Sequence, residues 1–279
     1  MTALNELDLT QWLILSGVLG LCIGSMLNVV AHRLPIMMQR DWDADLAEAQ
    51  GHEPPELPRY NLFLPASHCP ACKTPLKWWH NIPVLSFVML RGKCGHCGSS
   101  ISMRYPLVEL LCAGLFLALA YTSPPGFTAL AIMGFTASLL VLGIIDLDTY
   151  LLPDSITLPL LWAGLLFNLF TGHVPLASAV AGAAAGYVVL WLIYQLFKLA
   201  TGKEGMGYGD FKLLAAIGAW MGVTALFSVV LFASVSGVVF GLAIQTIRGK
   251  KKTEAFPFGP CLVMGAFAWM AGFDLAKWF

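Results

Sequence analysis

Long apolar stretches separated by short polar connections dominate the hydrophobic pattern of this chain. The first, residues 12–31, has about the length needed to cross a hydrocarbon core roughly 30 Å thick. Further candidate spans cover residues 106–122, 128–145, 156–171, 176–197, 211–222, 225–247 and 257–276. We therefore predict an all-α polytopic membrane protein with about eight transmembrane helices.

Residues 211–247 are too long for a single span, and we place a turn at Gly222. Reading them as one helix would invert the topology of everything that follows. Composition supports a membrane protein, because 58% of residues are hydrophobic and only 11% are charged, a departure from soluble domains in both directions. Lys+Arg and Asp+Glu balance at sixteen each, which argues against a nucleic-acid partner.

The distribution of Lys and Arg predicts the orientation in the bilayer. These residues fall in 33–104, 198–212 and 248–252, with Lys277 as the exception, and the connections near 122–128 and 171–176 have none. By the positive-inside rule, residues 32–105, 148–155, 198–210 and 248–256 are cytoplasmic and the N-terminus lies opposite. Residues 1–31 are then a retained first transmembrane helix, 32–105 a cytoplasmic loop domain, and 106–279 a membrane-embedded core.

Two C-x-x-C pairs, Cys69/Cys72 and Cys94/Cys97, lie in the small cytoplasmic insertion between helices 1 and 2. Their spacing is typical of a structural zinc site, in which each pair places two thiolates on one tight turn. The alternative is a pair of disulfides, which a reducing cytoplasm disfavours. Four thiolates leave no open coordination position, so the metal is expected to hold structure. Three neighbouring histidines are alternative metal ligands, but with four cysteines present they are expected to be solvated or to surround the site: His68, His80 and His96.

Acidic residues at the ends of apolar spans are candidates for catalysis, because carboxylates in a membrane are costly. Asp146 and Asp148 end the third span, and Asp210 precedes the sixth within Gly-x-Gly-Asp. Asp210 is alternatively a helix N-cap or first-turn acid. Asp154 is expected to cap the following helix, and spacing does not choose between Asp146 and Asp148. Glu109 is either a catalytic accessory or, preferably, an interfacial ion-pair partner.

Two carboxyl groups in a partly dry site are expected to share one proton. One then activates a water molecule as a base, and the other protonates or polarises the carbonyl under attack. The three glycines before Asp210 are expected to allow close backbone approach and positive φ angles: Gly205, Gly207 and Gly209.

An ordered set of motifs in this chain resembles the type IV prepilin peptidases (leader peptidase/N-methyltransferases). The set comprises residues 24–35 (GSMLNVVAHRLP), the two C-x-x-C pairs, 104–110 (RYPLVEL), 145–146 (ID) with 151–154 (LLPD), 202–212 with G-x-G-D, and 257–260 (PFGP). Gly-x-Gly-Asp alone is a weak signal, whereas the ordered set is specific.

The resemblance implies a bifunctional enzyme of the bacterial inner membrane. It implies cleavage of the leader of prepilins and pseudopilins after a glycine, at the cytoplasmic face, and methylation of the new N-terminal residue by S-adenosylmethionine. It also implies that Asp146 and Asp210 are the catalytic aspartates. No glycine-rich strand–turn–helix pattern of the soluble methyltransferases is present, so no residue is assigned to the methyl donor. The rival hypotheses are an ion or metal transporter with carboxylate carriers and a non-enzymatic secretion scaffold.

Overall fold

The computed structural model describes residues 6–54, 57–203, 205–248 and 256–274, and in them the chain is almost entirely helical. The helices are α1 (Leu9–Ala49), α2 (Leu85–Met89), α3 (Arg104–Thr122), α4 (Phe127–Thr149), α5 (Asp154–Thr171), α6 (Leu176–Thr201), α7 (Tyr208–Met221), α8 (Val223–Arg248) and α9 (Gly259–Met270). A 3-10 turn covers Trp78–Asn81, and the described residues otherwise contain only isolated β-bridges.

Every predicted span corresponds to one of these helices, and the predicted turn at Gly222 is confirmed. Gly222 separates α7 from α8 and has φ 82°, a left-handed angle that glycine adopts without a Cβ penalty. Six helices are long and apolar enough to cross a bilayer: α1, α3, α4, α5, α6 and the Val223–Ala243 part of α8. The chain is therefore a multi-pass membrane protein. The remaining apolar helices, α7 with 14 residues and α9 with 12, are shorter.

The first helix is much longer than its apolar stretch. It runs for 41 residues without interruption through Pro35, so the acidic segment 41–49 is its C-terminal end and not a separate surface helix. Asp8 caps its N-terminus, accepting from the amide of Gln11 at 2.9 Å while the Gln11 side chain accepts from the Asp8 amide, which is a reciprocal capping box. Residue 31 marks the end of the apolar stretch but not of the helix.

The chain divides into two compact units, Met1–Ala137 and Ser138–Phe279. In the first unit, α1 and α3 pack antiparallel through small residues. A Cβ on Gly20 would lie 2.6 Å from the Cα of Ala113, and one on Gly24 would lie 2.7 Å from the Cα of Glu109. Gly20-x-x-x-Gly24 is thus a small-residue motif that lets two membrane helices approach closely.

In the second unit, the short helix α7 is enclosed by its neighbours, and its residues from Asp210 to Met221 are almost all buried. It runs antiparallel to α6, where a Cβ on Gly186 would lie 2.6 Å from the Leu214 carbonyl oxygen. Its C-terminal carbonyls are satisfied from α5, because the Asn168 amide donates to Ala219 at 2.8 Å. A 14-residue helix can be buried in this way because α5, α6 and α8, which pack around it, are all longer. The predicted basic connection at Lys250–Lys252 lies outside the described residues.

Candidate active site and metal centre

Asp146 lies near the C-terminal end of α4, where its side chain is buried at 4% exposure. Its Oδ2 accepts a hydrogen bond from the backbone amide of Gly259 at 2.9 Å. Gly259 is the first residue of α9, so the carboxylate lies at a helix N-terminus, where free amides favour negative charge. A Cβ on Gly259 would come within 2.7 Å of that same oxygen. Only glycine therefore fits this contact.

Asp210 lies in the first turn of α7 and is buried at 7% exposure. The N-cap position is occupied by Gly207, and the Asp210 amide donates to the Gly207 carbonyl at 3.3 Å. Asp210 is thus a first-turn acid and not the cap. Its carboxylate lies at the N-terminal end of the helix, where the free amides favour negative charge.

The structure brings Asp146 and Asp210 close enough for their charges to interact. Cys261, in the first turn of α9 and 1% exposed, lies within electrostatic range of both carboxylates. Two residues from Asp146, the side chain of Asp148 is exposed. The geometry therefore favours Asp146 over the exposed Asp148 as the partner of Asp210, and the catalytic assignment of the two carboxylates stays a prediction.

The glycines before Asp210 act through close approach and not through positive φ angles. A Cβ on Gly209 would lie 2.8 Å from the Leu152 Cβ, and one on Gly205 would lie 2.8 Å from the Phe197 ring. None of the three has positive φ, so that part of the prediction is wrong; the left-handed residue nearby is Gly202, which ends α6 at φ 68°. The conformation of the loop before Asp210 is therefore set by its packing against Leu152 and Phe197.

Asp154 and Lys212 form an ion pair that joins the N-terminal ends of α5 and α7. The Lys212 Nζ lies 2.8 and 2.7 Å from the two carboxylate oxygens of Asp154. Asp154 is the first residue of α5 and the N-cap is Pro153, so the expectation that Asp154 caps this helix is wrong. Lys212 lies two residues after Asp210, and the pair therefore fixes the segment that carries the buried carboxylate.

Glu109 is buried at 7% exposure in α3. Its carboxyl group accepts from the backbone amide of Val84 at 2.8 Å. The predicted ion pair is thus replaced by a hydrogen-bonded tether among the residues that the structure describes. Of the membrane cysteines, Cys112 and Cys261 are buried, as small apolar residues should be, whereas Cys22 is exposed on α1.

The two cysteine pairs have the same backbone fold. In each, the amide of the first cysteine donates to the carbonyl five residues on, from Cys69 to Thr74 at 3.0 Å and from Cys94 to Ser99 at 2.8 Å. In each, the amide of the residue directly after the second cysteine closes the turn by donating to the first cysteine's carbonyl. Lys73 and Gly98 make these closing bonds, at φ 57° and 71°. The two turns are therefore equivalent knuckles.

The four sulfur atoms of Cys69, Cys72, Cys94 and Cys97 lie within 4.8 Å of one another. A tetrahedral zinc with Zn–S bonds of about 2.3 Å requires sulfur atoms separated by about 3.8 Å, and the Sγ atoms of Cys69 and Cys97 are 3.9 Å apart. The amide of Cys72 and the hydroxyl of Ser99 lower the pKa of the Cys69 thiol to about 6. Because thiolates are the metal-binding form, the cluster can hold a metal ion.

Comparison with known proteins decides the family of this chain. Residues 18–123 match the model of the bacterial peptidase A24 N-terminal domain, and residues 133–242 match that of the type IV leader peptidase family. A prepilin leader peptidase/N-methyltransferase of Aeromonas salmonicida (strain A449) is 50% identical, covering 96% of this chain and 94% of that protein. The chain belongs to the type IV leader peptidase family.

Other relatives with the same name agree with this assignment. The protein of Burkholderia pseudomallei (strain 1026b) is 54% identical over 90% of this chain and 82% of its own length. That of Neisseria gonorrhoeae is 46% identical over 91% of this chain and 88% of its own length. No solved structure matches.

The two matched regions of this leader peptidase family member contain different candidate sites. The N-terminal match includes all four cysteines and Glu109, and the family match includes Asp146 and Asp210. Gly259, which sequence reasoning did not assign a role, lies beyond both. Its signal was the Pro-Phe-Gly-Pro motif at 257–260, whose partner Asp146 is 113 positions away.

Proposed function

We propose that this protein is a membrane aspartic endopeptidase that removes the leader of type IV prepilins and pseudopilins after a glycine. It then methylates the new N-terminal residue. The observation that carries the peptidase proposal is the meeting of two buried carboxylates, Asp146 and Asp210, within electrostatic range in a chain of the leader peptidase family. The relatives' name supports the substrate and the second activity.

The proposed chemistry uses the two carboxyl groups as one unit that holds a single proton. The ionised carboxylate removes a proton from a water molecule, and the resulting hydroxide attacks the carbonyl carbon of the scissile bond. The protonated partner donates its proton to the carbonyl oxygen. The first group then passes the proton taken from water to the leaving amine as the C–N bond breaks, and the partner takes back a proton from a hydroxyl of the intermediate as the C=O bond re-forms. Both groups thereby return to their starting states. The amide of Gly259 holds the Asp146 carboxylate in position for these transfers.

The site is proposed to lie at the cytoplasmic face of the bacterial inner membrane. Asp146 lies near the C-terminal end of α4 and Asp210 in the first turn of α7. The positive-inside rule predicts that the connections beside them, 148–155 and 198–210, are cytoplasmic. A substrate with an apolar helix in the bilayer and a leader in the cytoplasm presents its scissile bond at that level. Both carboxylates are therefore proposed to be reached from the cytoplasmic edge of the bilayer.

Zinc is the proposed occupant of the tetracysteine cluster, and its role is structural. Cys69, Cys72, Cys94 and Cys97 supply four thiolates with the spacing that zinc requires, and such closed sites contribute directly to folding. The loop between α2 and α3 has little apolar core of its own. The bound ion would hold the two knuckles together.

Methyl transfer is the second proposed activity, with S-adenosylmethionine as the methyl donor. The group attacked is the amine that leader cleavage releases, so hydrolysis must precede methylation. The described residues contain no β-strand, only two isolated β-bridges. The donor site is therefore proposed to be built from helices and loops, unlike the strand–turn–helix site of soluble methyltransferases.

A purified-protein assay with a synthetic prepilin tests the proposal. Asp146→Asn and Asp210→Asn keep the size of each side chain but remove the titrating oxygen, and each is expected to abolish leader cleavage while the protein still inserts. Asp148→Asn is the matched control, because Asp148 is exposed and two residues from Asp146. Retained cleavage by either of the first two variants would reject the catalytic pair.

The same assay separates the enzyme from its rivals. A scaffold would not cleave the purified substrate at all, and a transporter would move an ion across proteoliposomes without added prepilin. The comparisons give the transporter no support, since the relatives are named as a peptidase and methyltransferase. Mass analysis of the product would show leader loss and a subsequent mass increase of one methyl group.

A further inference from the structure

The short helix α2 and the residues before it expose an apolar face that belongs to none of the predicted membrane spans. Leu85, Val88 and Met89 are 61%, 65% and 82% exposed. Their spacing places them on one side of the helix. Ile82, one turn earlier, and Trp78, in the preceding 3-10 turn, are also exposed. This set, Trp78, Ile82, Leu85, Val88 and Met89, is here named the α2 apolar face.

The side chains that hold the helix to the loop, those of Ser86 and Phe87, are not part of this face. The Phe87 side chain lies against Gly92, where an added Cβ would be 3.0 Å from the ring. The Ser86 hydroxyl donates to the Ile82 carbonyl at 2.8 Å. The α2 apolar face is therefore presented outward by an ordered, hydrogen-bonded segment, and it is left without a cover by the rest of its unit.

A hydrogen bond to Glu109 sets the depth of this segment relative to the membrane. The Val84 amide, directly before α2, donates to Glu109 Oε2 at 2.8 Å. Glu109 lies five residues into the candidate span α3, which is about 7.5 Å along a helix axis at 1.5 Å per residue. Helical side chains point back toward the N-terminus, so Val84 lies between the levels of Arg104 and Glu109. Because a basic residue at the start of a membrane span is expected at the headgroup level, as Arg104 is here, Val84 is expected at the depth of the headgroups and the first acyl carbons.

The backbone conformation of Val84 indicates that α2 has a fixed position relative to α3. Val84 has φ 59°, an angle that is unfavourable for a β-branched residue and persists only where the surroundings demand it. The Glu109 side chain accepts a hydrogen bond from the Val84 amide at 2.8 Å, which compensates for part of this cost. Helix α2 is thereby tied to the membrane helix at one defined height.

The charge around this face has a single sign. Residues 57–108 contain no Asp or Glu and six basic residues. All six are exposed: Arg59, Lys73, Lys77, Arg91, Lys93 and Arg104. By contrast, the acidic residues of the insertion lie within 41–56. Exposed apolar side chains at headgroup depth, next to clustered cations, are the combination that binds an anionic bilayer surface.

We propose that the α2 apolar face inserts into the interfacial region of the bilayer and that the neighbouring Lys and Arg side chains bind anionic lipid phosphates. The cysteine-containing loop is then an interfacial element that lies on the membrane at the edge of α3. The face is continuous in height with exposed leucines of the first turns of α3, Leu107 and Leu110. This lipid contact would hold the knuckles at a constant height above the bilayer.

Site-specific photocrosslinking in the full-length protein tests this proposal. The protein, with p-benzoylphenylalanine in place of Met89, is reconstituted into liposomes of phosphatidylethanolamine and phosphatidylglycerol and irradiated. Lipid adducts are quantified by mass spectrometry. The matched control carries the same residue in place of His96, which is exposed within the second knuckle. Position 89 is expected to give a several-fold higher yield of lipid adduct than position 96.

Two further experimental conditions identify the molecule that contacts the α2 apolar face. Replacing phosphatidylglycerol by phosphatidylcholine is expected to lower the adduct yield at position 89 several-fold, and an equal yield would overturn the role of anionic lipid. Adding a prepilin should leave the lipid adduct in place. Crosslinking to the prepilin instead, or no more lipid adduct at position 89 than at 96, would overturn the membrane contact. None of these readouts depends on peptidase activity, so they stand apart from the proposed function.

Discussion

The tetracysteine loop and the aspartate site reach their geometry by opposite routes. Each cysteine knuckle is complete within a few residues, since the same backbone bonds recur around Cys69 and Cys94. Each aspartate depends on distant backbone or neighbouring helices, as the Asp146–Gly259 contact shows. The two cysteine knuckles form locally, and a bound metal ion would only have to join them. A pair of carboxylates in a membrane is brought together only when several helices have packed. Changes at the two sites should therefore have different consequences.

The largest expected effect tests whether the aspartates act as one unit. Asp146→Asn and Asp210→Asn should each abolish leader cleavage, and the double variant should be no slower than either single variant, because groups that act together are strongly non-additive. Rates of cleavage of a synthetic prepilin measure this. A double variant slower by the product of the two single effects would mean that the carboxylates act independently.

Gly259→Ala should come next in size. Its Cβ would meet Asp146 Oδ2 at 2.7 Å, so the carboxylate must move, and a displacement of about 1 Å can lower a rate by roughly 100-fold. The control is Gly143→Ala in α4, where the added Cβ meets Val263 at an ordinary 3.5 Å. Both variants are compared for cleavage rate and for yield in the membrane fraction. Equal rates would show that the Gly259 amide does not position Asp146.

Removal of cysteine thiolates should affect the loop and not the helical core. Cys69→Ser and Cys94→Ser are each expected to lower bound zinc to near zero and to expose the loop to protease, because metal binding is coupled to the folding of such sites. Metal content by elemental mass analysis and limited proteolysis are the measurements. Cys22→Ser, at an exposed position on α1, should keep its zinc. Unchanged zinc in the knuckle variants would contradict the assigned ligands.

The smallest expected effect concerns the ion pair between Asp154 and Lys212. Their side chains are 53% and 29% exposed, and such pairs contribute about 0–1 kcal/mol. Asp154→Asn should therefore slow cleavage by less than about five-fold if the pair positions α7 only weakly. Exchanging the two residues, with Asp154→Lys and Lys212→Asp together, should recover part of that loss. A loss as large as that of Asp210→Asn would place Lys212 in the chemistry itself.

Several features were predictable because they depend on local or periodic patterns. The apolar stretches predicted all eight long or medium helices, since a bilayer demands a minimum run of apolar residues. Gly222 was predictable as a turn because the preceding stretch was too long for one span. The C-x-x-C pairs predicted their own knuckles, because each turn is stabilised by its nearest neighbours in the chain.

Other features could not be predicted because they depend on contacts between distant segments. The continuation of α1 to Ala49 crosses a polar boundary that hydropathy treats as an end. The glycines at 205 and 209 were assigned positive φ, but their role is close packing against Phe197 and Leu152. The tether from Val84 to Glu109 joins a short helix in the loop to a buried membrane carboxylate. Hydropathy contains no information on any of these pairings.

The sequence by itself determined that this is a helical membrane protein with two cysteine knuckles in one loop, because apolar run length and cysteine spacing act over short distances. It also supplied the two candidate aspartates, though spacing alone left Asp148 open. Only the tertiary structure decided that Asp146 lies within electrostatic range of Asp210, and that the Gly259 amide is bonded to Asp146. The reason is that helix packing, and not chain distance, decides which side chains meet inside a bilayer.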